Sequence, residues 1–125
     1  MVDITPFKGL LFNQEKIVSL DQVTAPPYDV ISSEQQDALY KKSPYNIVRL
    51  ILEKQYPEDD EETNRYTRSS VVFKKWIEDE ILVEDVKPSF YVYSQEYTFE
   101  GESVCRVGFF ARVHTEDFDS GNICP

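Results

Sequence analysis

Two stretches near the end of the chain, SFYVYSQEYTF (89–99) and VCRVGFFARVH (104–114), constrain the fold more than any other part of the sequence. They flank EGES, in which Gly101 can take the positive φ of a tight turn. In the second stretch Cys105, Val107, Phe109, Ala111 and Val113 fall on one face of a strand. Arg106, Gly108, Phe110, Arg112 and His114 fall on the other, because strand side chains alternate with a period of two. The expectation is a β-hairpin, and any architecture must accommodate it.

Upstream the signals alternate. ITPFKGLLF (4–12) reads as a first strand, with Pro6 tolerable near its start or on an edge. Residues 13–23 read as a polar connection touching the core through Ile17, Val18, Leu20 and Val23. SSEQQDALYKK (32–42) has the capping-box spacing twice, Ser32 with Gln35 and Ser33 with Gln36. Asp37 early, Lys41 and Lys42 late, and Pro44 beyond them complete a helix that suits its own dipole. YNIVRLILE (45–53) is β-branched and aliphatic and predicts a central strand. Tyr66, Ser70, Phe73, Trp76, Ile77 and Glu80 or Ile81 recur at helical spacing and predict a helix over about 60–81, with the acids at 58–62 in its first turn. The whole predicts one α+β domain over 1–125: a small mixed β-sheet, two main helices and a C-terminal β-hairpin. The echo of PYDVI (27–31) in PYNIV (44–48) is read as a Pro-Tyr-Asx turn leading into extended chain, not as a duplication.

Composition excludes several classes. Hydrophobic residues make up 41%, so a packed core is feasible. The net charge of −10, with the 13 basic residues scattered, argues against a nucleic-acid surface, which needs clustered Lys and Arg. No apolar run approaches the roughly 20 residues that cross a bilayer, and the N-terminus has no secretory pattern. No membrane partner and a cytoplasmic location are therefore expected. Cys105 and Cys124 lack ligand-type spacing and are read as reduced thiols rather than a bridge.

The candidate chemistry starts at APPYDVIS (25–32). Its prolines stiffen the chain and deliver Tyr28 and Asp29 beside a helix N-terminus, where free N–H groups and the hydroxyls of Ser32 and Ser33 can hold phosphate. Asp29 would then hold a Mg²⁺ bridging to that phosphate. Alternatively, Asp29 makes an Asx-turn or a cap, and Tyr28 packs as a staple. Arg49, inside an aliphatic run, either binds an anion, pairs with Asp29 or Glu53, or alternates outward. Arg65 and Arg68, one turn apart, either clamp an anion or neutralise the acids at 58–62. Those acids lack the glycine and spacing of a calcium loop. Gln95 and Glu96 interrupt the tyrosine-rich strand opposite Arg106, Arg112 and His114, which predicts cross-strand pairs. A single His without ligand-type neighbours is a poor zinc site, and no phosphate loop or nucleophile elbow is present.

Taken together, PFKGL (6–10), APPYDVIS (25–32), PYNIVRLIL (44–52), NRYTRS (64–69), FYVYSQEYT (90–98) and RVGFFARV (106–113) resemble the N-terminal blocks of the prokaryotic domain-of-unknown-function family 1015. The resemblance covers nearly the whole chain. It implies an N-terminal fragment of a longer protein, one that continues past GNICP into a His-Glu pair and a larger α/β portion. It also implies a distant similarity to the ParB–sulfiredoxin group, whose small sheets bind nucleotides and some of whose members phosphorylate free serine. No ParB-type phosphate motif aligns here residue by residue, so this likeness speaks only to the fold.

Two functional expectations follow. In the first, the full-length protein is an ATP- and Mg-dependent small-molecule phosphotransferase and the fragment alone is inactive. Asp29, Arg49 and Glu96 are then the catalytic candidates, Asp29 also the metal ligand, and Tyr28, Ser32, Ser33 and Arg65 the cofactor contacts. In the second, the chain is a non-catalytic module whose tyrosine-rich strand (Tyr91, Tyr93, Tyr97, with Phe99) meets a protein partner or the rest of its own chain. Burial of those tyrosines against the helix at 60–81 would dismiss the second, and their exposure would favour it.

Overall fold

The computed structural model describes residues 3–117. The elements run β1 (Ile4–Thr5), β2 (Leu10–Phe12), α1 (Leu20–Val23), a 3₁₀ turn (Tyr28–Val30), α2 (Ser33–Lys42), α3 (Val48–Ile51), α4 (Arg65–Glu78), β3 (Leu82–Glu84), β4 (Tyr91–Phe99), β5 (Glu102–Phe110) and β6 (Arg112–Val113). The fold is α+β, with α2 and α4 as its main helices. Among the described residues the strands form three two-stranded sheets, β1–β6, β2–β3 and β4–β5, rather than one mixed sheet. The expected strand over 4–12 is broken at Pro6, which has no N–H to continue a ladder. Ile4 and Thr5 pair antiparallel with Val113 and Arg112, and Phe7 then bridges to Ser89 through bonds of 3.1 and 3.0 Å.

By its contacts the chain divides into two compact units, one of Leu10–Val83 and the other of the flanking segments up to Gly9 and from Glu84 onward. The helical unit holds the core. Ile17, Val23, Trp76, Ile81 and Leu82 are buried together, with Phe12, Tyr45, Ile47, Leu50 and Val72 against them. Trp76 is the centre of this cluster, its ring 6.0 Å from that of Phe12 and 6.1 Å from that of Tyr45. In the connection before α1, Ile17 and Val23 face inward as expected, whereas Val18 and Leu20 are exposed.

The largest departure from expectation is at 45–53, where a helical turn, α3, replaces the predicted central strand. A short aliphatic run looks the same in a buried strand and a buried helical turn, and here a polar residue decides between them. Asn46 is 0% exposed. Its Oδ1 accepts from Val48 N at 3.0 Å, and its Nδ2 donates to the carbonyls of Gln22 and Thr24, both at 2.9 Å. The first bond starts the helical turn, and the other two tie it to the end of α1. Ile47 N then donates to Val23 O at 2.7 Å. Both Pro-Tyr-Asx segments thus enter helical turns, not extended chain.

The helix ends follow local rules. At α2 the Ser32–Gln35 capping box forms, with Ser32 N donating to Gln35 Oε1 at 2.9 Å and Gln35 N to Ser32 Oγ at 3.3 Å. The alternative box does not form, because the Gln36 amide reaches Leu52 O at 2.7 Å. Helix α4 starts later than expected, at an Asn64 cap whose Oδ1 accepts from Tyr66 N and Thr67 N, so the acids at 58–62 precede the helix. It ends in a Schellman arrangement, with Ile81 N donating to Trp76 O at 2.8 Å and Glu80 N to Ile77 O at 3.1 Å. Glu80 takes φ 55° there, a conformation that favours glycine. The inward face of α4 is Arg68, Ser69, Val72 and Trp76; of the expected stripe Trp76 and Ile81 are buried, while Tyr66, Ser70, Phe73 and Ile77 are exposed.

Two stability predictions follow. Asn46→Ala strands two carbonyls and an N–H in the core and is expected to lower unfolding free energy by roughly 2–4 kcal/mol in urea melts. Glu80→Gly relieves the left-handed backbone and is expected to raise it by about 1 kcal/mol in the same assay.

Candidate functional site

The sequence-nominated residues fall in three places. The first is the corner before α2. Pro27 leads into the 3₁₀ turn, and both Tyr28 and Asp29 are exposed. Tyr28 makes no staple, and α2 is capped by Ser32 rather than by Asp29. The Ser32 hydroxyl is already engaged, accepting from Gln35 N and donating to Glu34 Oε2 at 2.9 Å. Backbone and Ser32 hydrogen bonds hold the Glu34 carboxyl below its ordinary range, so the helix N-terminus already carries an anion of its own. Ser33 is exposed on the first turn. Asp29 belongs to no group of three His, Cys, Asp or Glu arranged to hold a metal, and the described residues contain no such group.

The second place is the contact of α3 with α2 and α4, all within the helical unit. Arg49 lies on a helical turn rather than a strand. Its guanidinium stacks 4.2 Å from the Tyr40 ring centroid, and Nη2 donates to Tyr40 O at 3.1 Å. Neither Asp29 nor Glu53 forms an ion pair with it among the described residues. Glu53 is instead nearly buried, at 8% exposure, and its Oε1 accepts from Tyr40 Oη at 2.5 Å and Lys54 N at 3.0 Å. Burial, reinforced by this carboxylate, pushes the Tyr40 phenol far above its ordinary value, so its proton stays in place to make the bond.

Arg68 is differently placed. It grips Asp59 with two bonds, Nη1–Oδ1 at 2.7 Å and Nη2–Oδ2 at 2.9 Å, and Nη2 also donates to Lys54 O at 2.7 Å. Arg65 does not join it in a clamp; its guanidinium lies 6.0 Å from the Tyr66 ring. Sequence reasoning missed Tyr40, Glu53 and Asp59 as a group. The sequence offered Glu53 as an ion-pair partner of Arg49, but not the Tyr40 that stands against both.

The third place is the hairpin. Its nine-residue strands pair from Tyr91↔Phe110 to Phe99↔Glu102 around Glu100 (φ 50°) and Gly101 (φ 85°). Two successive positive φ values make the primed turn whose twist matches the strands. One face carries Tyr91, Tyr93, Gln95, Tyr97 and Phe99 with Phe110, Gly108, Arg106, Val104 and Glu102. The opposite face carries Val92, Ser94, Glu96 and Thr98 with Phe109, Val107, Cys105 and Ser103. Glu96 therefore sits opposite Cys105, not opposite an arginine, and Arg106 pairs with Gln95. Glu96 belongs to the other compact unit from Asp29 and Arg49.

Both hairpin faces are open to solvent. Val92, Val107 and Phe109 are 75%, 66% and 62% exposed on one face, and Tyr93, Tyr97, Phe99 and Phe110 are exposed on the other. The base of the hairpin is fixed more firmly. Tyr91 Oη donates to Asp85 Oδ2 at 2.9 Å and accepts from Gly9 N at 2.7 Å, while the Phe7 ring lies 5.1 Å from its own. A Cβ on Gly9 would stand 2.9 Å from the Tyr91 ring, so this approach needs glycine. Cys105 is free and exposed, and Cys124 lies outside the described residues.

The Arg68–Asp59 pair gives a pH test. The Arg68 hydrogen bonds hold the Asp59 carboxyl below its ordinary 3.8. A depressed carboxyl contributes stability that is complete above the unfolded value and lost as pH falls through the lower folded one. The expected stability difference between the natural chain and Asp59→Asn is therefore constant above about pH 5 and shrinks steadily below about pH 4. Urea melts across pH 2–7 would measure it.

Among the described residues no helix is long and apolar enough to cross a membrane. No curated protein and no solved structure matches the chain. A family model does match, over residues 4–125, and the chain accordingly belongs to the family described as Protein of unknown function (DUF1015).

Proposed function

We propose that this chain acts as an interaction module and that its β4–β5 hairpin receives an extended polypeptide segment. The exposure of both hairpin faces carries this reading. An isolated two-stranded hairpin is marginal in water and gains stability from a third strand or a covering layer. Each strand has one edge outside the β4–β5 ladder, where backbone N–H and C=O groups stand ready to pair with another chain. Aromatic and β-branched side chains on both faces would clasp alternate residues of an added strand, as in β-augmentation.

Charge narrows the occupant. Residues 91–110 hold Glu96, Glu100 and Glu102 against Arg106 alone, and the chain as a whole carries −10. An alternating apolar strand with basic flanks fits best, and its association would be steered and salt-sensitive.

A Mg–ATP site at the Tyr28–Ser33 corner, suggested by the ParB–sulfiredoxin likeness, has less support. The hydroxyl and helix N-terminus it needs are already engaged by Gln35 and Glu34. Titration with Mg–ATP, using Asp29→Asn as the control, discriminates the two readings. Saturable binding that the substitution abolishes would bring the phosphotransferase reading forward.

The direct test uses a synthetic nine-residue peptide of alternating valine and threonine with lysine at each end. Amide shifts and hydrogen-exchange protection are expected along 91–110, reduced by salt and lost in Val107→Lys. Perturbation elsewhere, or equal perturbation by a proline-interrupted peptide, would reject strand addition. A concentration-dependent dimer dissolved by Val107→Lys would replace the peptide with a second copy of the chain.

A further inference from the structure

A cleft of about 510 Å³ opens in the helical unit between α3 and α4. Its volume falls in the range of small-molecule sites. Arg49 and Arg68 line it together with Glu53, and Glu62 and Thr63 stand in the loop just before α4. Val71 and Val72 supply an apolar wall. All of these residues lie within one compact unit.

The charges in this cleft are unusually incomplete. Two buried side-chain nitrogens lack a hydrogen-bond partner among the described residues, Arg49 Nε and Arg68 Nε, and both belong to arginines lining the cleft. Buried N–H donors are seldom left unmade, and these two mark the arginines that line the cleft as incompletely satisfied. Arg68 has its charge answered by Asp59, whereas Arg49 has a carbonyl and an aromatic face but no carboxylate in ion-pair range. The acids show the converse. Glu53 is nearly buried, both its hydrogen bonds fall on Oε1, and among the described residues no ion pair includes it or Glu62.

We propose that this cleft binds a small zwitterion, a molecule carrying a carboxylate and an ammonium group close together. A phosphate dianion would face Glu53 and Glu62, and a simple cation would face Arg49. One ligand with both charges answers both signs at once, its carboxylate toward the arginines and its ammonium toward the glutamates. Arg49 and Glu53 form no ion pair with each other, which leaves each available to the ligand. Thr63 adds a hydroxyl, and the valine wall accommodates a short apolar substituent. Free α-amino acids and the amino-acid portion of a larger metabolite share this chemistry.

The test is an amide-shift titration of the chain with each free L-amino acid in turn, and with its N-acetyl and carboxamide forms. Saturable shifts confined to residues 49–72 are expected for at least one free amino acid. Blocking either charged end is expected to weaken binding about tenfold or more, as are Arg49→Gln and Glu53→Gln. If either variant loses its far-UV circular dichroism, the exposed substitution Glu62→Gln provides the same reading. Three results would overturn the proposal. One is no shift at about 10 mM of any amino acid. Another is equal binding of the blocked forms. The third is binding of acetate or inorganic phosphate as tight as that of the zwitterion. Tighter binding of a side-chain-extended amino acid than of its parent would point to the larger metabolite as the source.

Discussion

Asn46 has no exposed surface, and its amide joins two backbone segments distant in sequence: the carbonyls of Gln22 and Thr24 at the end of α1 and the N–H of Val48 at the start of α3. A buried amide of this kind is worth most when its bonds are made, because each unmade one costs the desolvation of a polar group. The consequence is geometric as well as energetic. Once Val48 is held in a helical turn, Arg49 and Glu53 project from the α3 region towards α2 and α4. Tyr40, from α2, then meets both of them, beneath the Arg49 guanidinium and bonded to the Glu53 carboxylate. Had residues 45–53 formed a strand, alternation would have sent Arg49 and Glu53 to one face of a sheet and no such cleft could exist.

The two compact units are held together internally by different means. The helical unit has an aromatic centre at Trp76 and a capped, closed helix at each main element. The hairpin has cross-strand pairs and a well-formed turn, but its side chains beyond Tyr91 largely face water. Such an element sits at the low end of the stability range within a structure, where opening is local rather than global. Its firm base explains how it can remain presented. Tyr91, bonded to Asp85 and Gly9 and packed on Phe7, fixes where the hairpin begins and leaves its outer length available.

What could be read from the sequence depended on whether the deciding interaction was local. The α2 cap and the hairpin turn are settled within a few residues, and the sequence narrowed the first to two boxes and placed the second within EGES. The α3 segment was not legible, because its conformation is decided by bonds from Asn46 to Gln22 and Thr24, more than 20 positions away. Helix α4 was found, and Trp76 and Ile81 of its expected stripe are buried, but Tyr66, Ser70, Phe73 and Ile77 are not. Apolarity alone does not separate Phe73 and Ile77 from Val72, and the core that Phe12, Tyr45 and Trp76 form takes Val72. Among the nominated site residues, Arg49 was offered Glu53 as an ion-pair partner, and the structure instead sets Tyr40 against both. Asp29 and Glu96 were selected by residue type, and the fold puts them in separate units.

Arg49 and Arg68 show how one residue type can hold a structure and leave chemistry open within the same cleft. Arg68 has a carboxylate in bidentate geometry, a backbone carbonyl and an aromatic ring at 4.8 Å, so its charge is consumed in fastening the loop before α4 to the helix. Arg49 has the carbonyl and the ring but no carboxylate, although the chain carries ten more negative than positive side chains. In so acidic a protein an arginine beside a buried glutamate would be expected to pair with it, since separating opposite charges in a poorly solvated place is costly. Instead the Tyr40 hydroxyl donates to Glu53 Oε1 while the Tyr40 ring lies under the guanidinium. One tyrosine thus touches two opposite charges that do not pair with each other, and that separation makes the cleft suitable for a ligand bearing both.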